Sequence, residues 1–125
     1  MAKTARLGNP SLAEAQVGPM TTPPQYQKIL SHIDIAKEEG ASAYLGAGRP
    51  PRRTGGGKYF VKPTILTGVY NKMRIAQEVF GPVLSVIKFK DEEEAVQMAN
   101  DIAYGLGVGV WTQSLRRAHM MAARI

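Results

Sequence analysis

The sequence predicts an α/β fold built on a parallel sheet. Apolar and periodic segments alternate as strand, helix, strand and helix over 83–125. Upstream, a helix-period pattern over 23–39 precedes an extended segment over 60–67 that suits a strand. Strands that alternate with helices form parallel sheets through right-handed crossovers, which is why this order favours an α/β architecture.

The composition predicts one soluble globular domain. The chain has 125 residues, of which 44% are hydrophobic and 21% charged. No run approaches the roughly 18 apolar residues that span a bilayer. Residues 1–6 lack the apolar core of a secretory signal, so we expect a cytoplasmic protein with no membrane partner. The chain has no cysteine, which excludes a disulfide, a thiolate metal site and a cysteine nucleophile within it.

The charge and the histidines indicate neither a nucleic-acid partner nor a metal site. Sixteen Lys and Arg against ten Asp and Glu give a net charge of +6, which could attract a polyanion. The basic residues are scattered, apart from Arg49, Arg52 and Arg53, and no nucleic-acid-binding motif accompanies them. His32 and His119 have no partner at metal-ligand spacing, so we expect two partly exposed helix residues.

The first elements are a loop-rich lead-in and an amphipathic helix. Turn signals at 8–10 and 18–19 predict a loop-rich segment over 1–22. Thr22 as N-cap, Pro23 at the first helical position and Gln25 three residues after the cap fit a capping box. The helix predicted over 23–39 ends before Gly40. Its buried face comprises Tyr26, Ile29, Leu30, Ile33 and Ala36.

The middle of the chain predicts short strands around a flexible loop. Residues 43–45 form a strand candidate, and the glycine-rich 46–58 segment predicts a flexible loop. Its Gly-Gly-Gly-Lys run over 55–58 resembles a phosphate-binding loop, but Tyr59 replaces the required Ser or Thr, so we favour a plain connection. Within 60–67, Pro63 predicts an edge strand or a break into two short strands.

The last third predicts two further strands and two helices. We expect a buried strand over 83–89, then a helix capped by Asp91 with Glu94 at its third position. That helix should reach Gly105 and bury a stripe formed by Ala95, Ala99, Ile102 and Ala103, with Val96 beside it. A second buried strand is expected over 107–111. The last helix, capped by Ser114 or Thr112, should bury Leu115, Ala118, Met121, Ala122 and Ile125.

The stretch from Glu78 to Val83 is the candidate binding loop. Gly81-Pro82 is a turn signal directly before the apolar strand, so Glu78 and Phe80 should lie at the entrance to that strand. A loop on a rigid sheet commonly presents binding residues. The alternative is a glutamate at a helix end and a phenylalanine in the core.

The flanks of this loop carry a resemblance that covers about residues 7–125. In order, the segments are Gly8-Asn9-Pro10, Gly18-Pro19-Met20, Tyr59 to Leu66, Glu78-Val79-Phe80-Gly81-Pro82, Ala99 to Thr112, and Arg117-Ala118-His119. The series closely resembles the NAD(P)-dependent aldehyde dehydrogenase superfamily. Residues 1–125 would then form part of its catalytic domain, a three-layer parallel-sheet domain beside a Rossmann-type cofactor domain.

The resemblance implies a role for two residues. Glu78 and Phe80 match the family motif whose glutamate and phenylalanine project toward the nicotinamide ribose of NAD or NADP. A carboxylate can accept hydrogen bonds from both ribose hydroxyls, and an aromatic face packs against the sugar and ring. At Gln77 the family often has a second acidic residue, a change that leaves the spacing from Glu78 to Phe80 intact.

The departures from the family predict an inactive chain. Family members oxidise an aldehyde to a carboxylic acid with a cysteine nucleophile and a general-base glutamate, and this chain has neither cysteine nor the glutamate motif. The dinucleotide-binding domain and the subunit-bridging strand are also absent. We therefore expect no catalytic residue in this chain. The resemblance also implies assembly, because members of the family usually form homodimers or homotetramers. The alternative is a non-catalytic α/β fragment, acting as an interaction module or a remnant, whose exposed strand edges favour self-association.

Overall fold

The computed structural model describes residues 2–50, 59–77 and 79–125. These residues form two units with separate internal contacts, Met1–Ile87 and Lys88–Ile125, which are described in turn. The Gly-Gly-Gly-Lys run and most of the loop expected over 46–58 lie outside the described residues, as does Glu78. Among the described helices, none combines the length and the apolar character that a membrane span requires.

The first unit contains the predicted amphipathic helix. Helix α1 covers Pro23–Glu38, and Thr22 caps its start by accepting a hydrogen bond from the Gln25 backbone N–H at 3.4 Å. After its C-cap, Glu39, the chain leaves the helix through Gly40, whose φ of +101° is a conformation that residues with a side chain rarely adopt. The buried face comprises Tyr26, Ile29, Ile33 and Ala36, with Leu30 partly buried beside it.

A three-stranded mixed sheet follows the helix. Its strands are β1 (Ser42–Leu45), β2 (Thr64–Thr67) and β3 (Val83–Ser85), in the order β1-β2-β3. Strand β2 pairs with β3 in parallel and with β1 antiparallel. The α/β class is confirmed, but the sheet is not purely parallel. Two consecutive strands pair in parallel only when the connection between them crosses over and returns to the same end of the sheet. The segment 68–82 makes such a connection between β2 and β3.

Strand β2 is the central strand of this sheet, where the sequence predicted an edge strand or a break. Pro63 lies just before the first strand residue, Thr64, so its missing N–H removes no hydrogen bond from either ladder. The buried side chains of β2 are Thr64 and Leu66, which alternate with the half-buried Ile65 and Thr67. This alternation places Leu66 in the core against α1 and the 3₁₀ turn Arg74–Ala76.

Among the described residues of the first unit, many of the buried side chains form two clusters. The first contains Ala36, Ala41, Leu66, Val69, Met73 and Ile75. The second contains Tyr26, Ile29, Ile33 and Val61. Val79 and Val83 pack against both clusters. The segment that joins these two valines therefore lies on the core of the unit, held at both of its ends.

The predicted strand over 83–89 is shorter and less buried than expected. Strand β3 ends at Ser85, Val83 is only half-buried, and the side chains of Leu84 and Phe89 are exposed. Among the described residues of this unit, β3 has a neighbouring strand on one side only. An edge strand with one covered face cannot bury consecutive side chains, because these point to opposite faces of the sheet.

The second unit contains two capped helices. Helix α2 covers Glu92–Asn100, and Asp91 Oδ1 accepts from the Glu94 N–H at 2.9 Å. Glu94 reciprocates by accepting from the Lys90 N–H at 2.6 Å. Helix α3 covers Leu115–Ala122 with Ser114 as its N-cap. Arg117 in α3 forms a side-chain ion pair with Glu92 in α2, and Arg124, just after α3, forms one with Glu93.

Three predictions for this unit are wrong. Helix α2 ends at Asn100, so Ile102 and Ala103 are exposed and Val96 is its buried residue. The segment 107–111 is irregular and exposed, with Trp111 98% accessible. An extended apolar run becomes a strand only beside a partner, and none lies beside it among the described residues. In α3, Met121 is buried whereas Leu115 and Ala122 are exposed.

Candidate functional site

The loop 79–82, which we call the Phe80 loop, presents one aromatic side chain to solvent. Phe80 is 67% exposed, so the alternative of a core phenylalanine does not hold. Its neighbour Val79 is partly buried against the core clusters. The side chains of Val79 and Phe80 thus point in opposite directions. Val79 packs against the core, and the Phe80 ring lies in solvent. Glu78, the second predicted site residue, cannot be placed beside it because it lies outside the described residues.

Helix α1 holds the loop from one side. The side-chain amide of Gln25 donates from Nε2 to the carbonyl oxygen of Phe80. One helical turn further along, the Ile29 side chain lies so close to Gly81 that a Cβ built there would be 2.5 Å from Ile29 Cδ1. Only a residue without a side chain permits this approach, which explains the glycine of the motif.

The sheet holds the loop from the other side. The Thr64 N–H donates to the carbonyl oxygen of Pro82 at 2.8 Å, and the Val83 N–H donates to that of Gly81 at 2.8 Å. The second bond closes a three-residue turn around Pro82, whose ring fixes its φ. Because β3 begins at Val83, the loop passes directly from its turn into the parallel ladder with β2.

This arrangement suits a flat aromatic ligand. An exposed aromatic ring on a backbone fixed by several hydrogen bonds offers its face at little further loss of conformational entropy. A nicotinamide ring is planar and meets such a face well. The described part of the site therefore offers one exposed aromatic face of the kind that a planar ring such as nicotinamide can meet.

Other candidate groups take part in local structure. His32 donates from Nδ1 to the Lys28 carbonyl oxygen at 2.7 Å, one helical turn back. Within the described ranges, no three His, Asp or Glu side chains converge as metal ligands would. Arg49 is exposed, and its guanidinium lies 5.6 Å from the centre of the Tyr26 ring. Tyr26 in turn meets Tyr59 edge to face, which supports the packing role predicted for it.

Gln25 is the residue of this site that the sequence did not reveal. The local pattern assigned it to a capping box, in which its side chain turns back toward Thr22. Its partner Phe80 lies 55 positions away. No periodicity or local spacing connects two residues at that separation, so only the folded chain could show the contact.

Comparison with known proteins adds relatives for the whole chain. The family model described as "Aldehyde dehydrogenase family" matches residues 1–125. The chain is 44% identical over 124 residues to betaine aldehyde dehydrogenase of Mesorhizobium japonicum, covering 98% of this chain and 26% of that protein. It is 48% identical over 121 residues to an aldehyde dehydrogenase of Vibrio cholerae, covering 94% of this chain and 24% of that protein. The chain thus spans about a quarter of the length of these curated relatives.

Solved structures of aldehyde dehydrogenases also superpose on nearly the whole of this chain. A point mutant of betaine aldehyde dehydrogenase from Staphylococcus aureus, in complex with NAD+, superposes with a TM-score of 0.94 at 39% identity, covering 99% of this chain and 26% of that one. An aldehyde dehydrogenase of Mycobacterium tuberculosis complexed with NAD+ gives a TM-score of 0.91 at 38% identity, with coverages of 99% and 26%. Since the family model matches the chain from end to end, this chain belongs to the aldehyde dehydrogenase family.

Proposed function

We propose that this chain is part of an oxidoreductase that converts an aldehyde to a carboxylic acid with NAD or NADP. Within it, the Phe80 loop would form one wall of the site for the nicotinamide end of the cofactor. The observation that carries this proposal is the exposed Phe80 ring on a loop held by both α1 and β2. The NAD+ complexes of two structural relatives support it, because each superposes on nearly the whole of this chain.

The residues of this chain would bind and orient the cofactor. The Phe80 ring packs against the nicotinamide and its ribose, which limits rotation of the ring and keeps water from that face. The Glu78 carboxylate accepts hydrogen bonds from the ribose hydroxyls. When bound, the cofactor accepts the hydride that the aldehyde loses on oxidation. With no cysteine, this chain supplies no thiol nucleophile, so we assign it no catalytic residue.

A chimera tests the cofactor role. The homologous quarter of the Vibrio cholerae enzyme, 48% identical over 121 residues, is replaced by this chain. We expect an active enzyme in which Phe80→Ala lowers kcat/KM for NAD by about fivefold, since an aromatic contact contributes about 1 kcal/mol beyond its area. Steady-state kinetics with varied NAD at saturating aldehyde measure this change.

Phe89 provides the matched control for that experiment. It is also an exposed phenylalanine, 60% accessible, and it lies outside the Phe80 loop. Phe89→Ala should leave kcat/KM for NAD within about twofold of the unsubstituted chimera, as surface substitutions usually do. Equal losses in the two variants would show that the Phe80 loop has no particular part in cofactor binding.

The second candidate, a non-catalytic interaction module, is favoured by one observation. Large apolar side chains are exposed in the second unit, with Leu106 and Trp111 at 96% and 98% accessibility. Such side chains commonly mark an interaction surface or a tendency to associate. Light scattering across a concentration series tests this candidate. A monomer at every concentration would exclude an interaction module that acts by self-association. Assembly as a homodimer or homotetramer stays a prediction of the family resemblance. A cytoplasmic setting also stays a prediction.

A further inference from the structure

Gln25 has a side-chain partner that its position in the helix does not require. It occupies the third position of α1, where its backbone N–H is already bonded to Thr22 Oγ1. Its side-chain amide donates to the Phe80 carbonyl oxygen, across 55 residues of sequence. The acceptor is a carbonyl oxygen, so the bonded atom of the amide must be the nitrogen.

The bond acts on Phe80, the exposed aromatic residue of the Phe80 loop. Val79 is held by the core, and Gly81 is held by its contact with Ile29. Between them, the Phe80 side chain is exposed, and the carbonyl oxygen of the peptide plane that joins Phe80 to Gly81 accepts the hydrogen bond from Gln25. A hydrogen bond to the Phe80 carbonyl oxygen fixes that plane, and with it the direction in which the Phe80 ring leaves the backbone.

We propose that Gln25 is a positioning residue for Phe80. It acts through the Phe80 carbonyl oxygen and sets the orientation of an aromatic ring that would contact the nicotinamide end of the cofactor. The orientation itself is a property of the folded chain alone, whereas its consequence for the cofactor rests on the proposed function. The two parts can therefore fail separately.

Gln25→Glu separates positioning from helix stability. At neutral pH a carboxylate has no hydrogen to donate, so it repels the Phe80 carbonyl oxygen. The same carboxylate suits the first turn of a helix and completes the capping box with Thr22, so α1 should keep its stability or gain some. If Gln25 had only a structural role, the order of the Phe80 loop and the stability of α1 would change in the same direction.

Gln27→Glu is the matched control. Gln27 is on the same helix two positions later, it is exposed, and its substitution makes the same change of charge. Gln25→Ala is a second variant that removes the donor without adding charge and places a strong helix former in α1. All three are made in the 125-residue chain.

The primary readouts require no cofactor. Backbone amide exchange in the peptide that covers 79–85 should accelerate about fivefold in Gln25→Glu and Gln25→Ala, since the bond restrains the loop by about the strength of one net hydrogen bond. It should stay unchanged in Gln27→Glu. With fluorinated phenylalanine, the Phe80 ¹⁹F resonance, assigned by its loss in Phe80→Leu, should shift in the two Gln25 variants only. The midpoint of thermal unfolding of each variant measures the stability of the chain with α1, separately from the order of the loop.

Each outcome decides the proposal. Loop exchange and a Phe80 resonance that match the unsubstituted chain in both Gln25 variants would overturn it, and so would equal effects of Gln25→Glu and Gln27→Glu. If the loop is released and Gln25→Ala in the chimera raises KM for NAD more than it lowers kcat, both parts stand. If the loop is released while KM and kcat stay unchanged in both Gln25→Ala and Phe80→Ala, Gln25 still positions Phe80 and the cofactor role fails.

Discussion

Gly81 lies against α1 at a distance that excludes a side chain. A Cβ there would approach Ile29 Cδ1 to 2.5 Å and Ile29 Cγ1 to 2.9 Å, and Ile29 is fully buried. Close-packed interiors resist even one added methyl group. The glycine of the motif is therefore needed for packing between the loop and the helix, separately from any role of the loop in binding.

We expect Gly81→Ala to lower the free energy of unfolding by about 2 kcal/mol, the usual range for overpacking a core. Urea unfolding of the 125-residue chain measures it. Ile29→Val removes the nearer of these two atoms, Cδ1, so the double variant should lose less stability than the two single variants added together. Gly105→Ala is the control, because a Cβ there meets no atom within 4 Å. Comparable losses at residues 81 and 105 would contradict this account.

At the scale of single residues, the sequence predicts the site only in part. Phe80 could be proposed from its motif and from the turn signal that follows it. Its anchors could not, because Gln25 and Ile29 belong to a helix far away in sequence. The pattern at the start of α1 even predicted another partner for Gln25, since Thr22 is three residues away and Phe80 is 55 away.

At the scale of elements, helix starts were predicted more closely than strands. Strands form at 42–45, 64–67 and 83–85, in or next to the predicted segments, whereas the strand predicted over 107–111 does not form. Each N-cap bonds a residue three positions later, as Thr22, Asp91 and Ser114 do, so the whole interaction is contained in local sequence. A strand depends on its neighbours instead. The apolar run 107–111 has the composition of a buried strand, yet it is irregular where no described strand pairs with it.

The cap of α2 gives a prediction at this scale. Asp91→Ala removes the acceptor of the Glu94 N–H and should lower the free energy of unfolding of the second unit by about 1 kcal/mol. Asp91→Asn keeps a side-chain oxygen and should change it by only a few tenths, because Asn caps about as well as Asp. Amide exchange in α2 under increasing urea measures both variants. A loss in Asp91→Asn equal to that in Asp91→Ala would point to charge rather than capping.

At the scale of the whole molecule, the chain carries a small share of a dinucleotide site. One aromatic ring and one carboxylate are proposed to contact the cofactor, and the chain spans about a quarter of its relatives. Only a ligand that prefers the folded state raises the midpoint of unfolding. We expect a cooperative thermal transition of this chain whose Tm does not move in millimolar NAD, and no aldehyde-dependent formation of NADH.

An upward shift of Tm with NAD would contradict this expectation. It would mean that the chain alone forms enough of the cleft to bind the dinucleotide. Repeating the melt with Phe80→Ala would then show whether the shift depends on the Phe80 loop. Phe89→Ala again serves as the control, because it removes an exposed ring elsewhere in the chain.

The bond between Gln25 and Phe80 also has a consequence for the order of folding. Closing a loop of 55 residues costs more chain entropy than forming a helix turn or a cap, so local structure can form before this contact does. The Phe80 ring then reaches its final orientation only after α1 has formed and has met the sheet. A peptide copy of residues 79–82 lacks that helix and with it the hydrogen bond to the Phe80 carbonyl oxygen, so we expect a transplanted loop to need α1 as well.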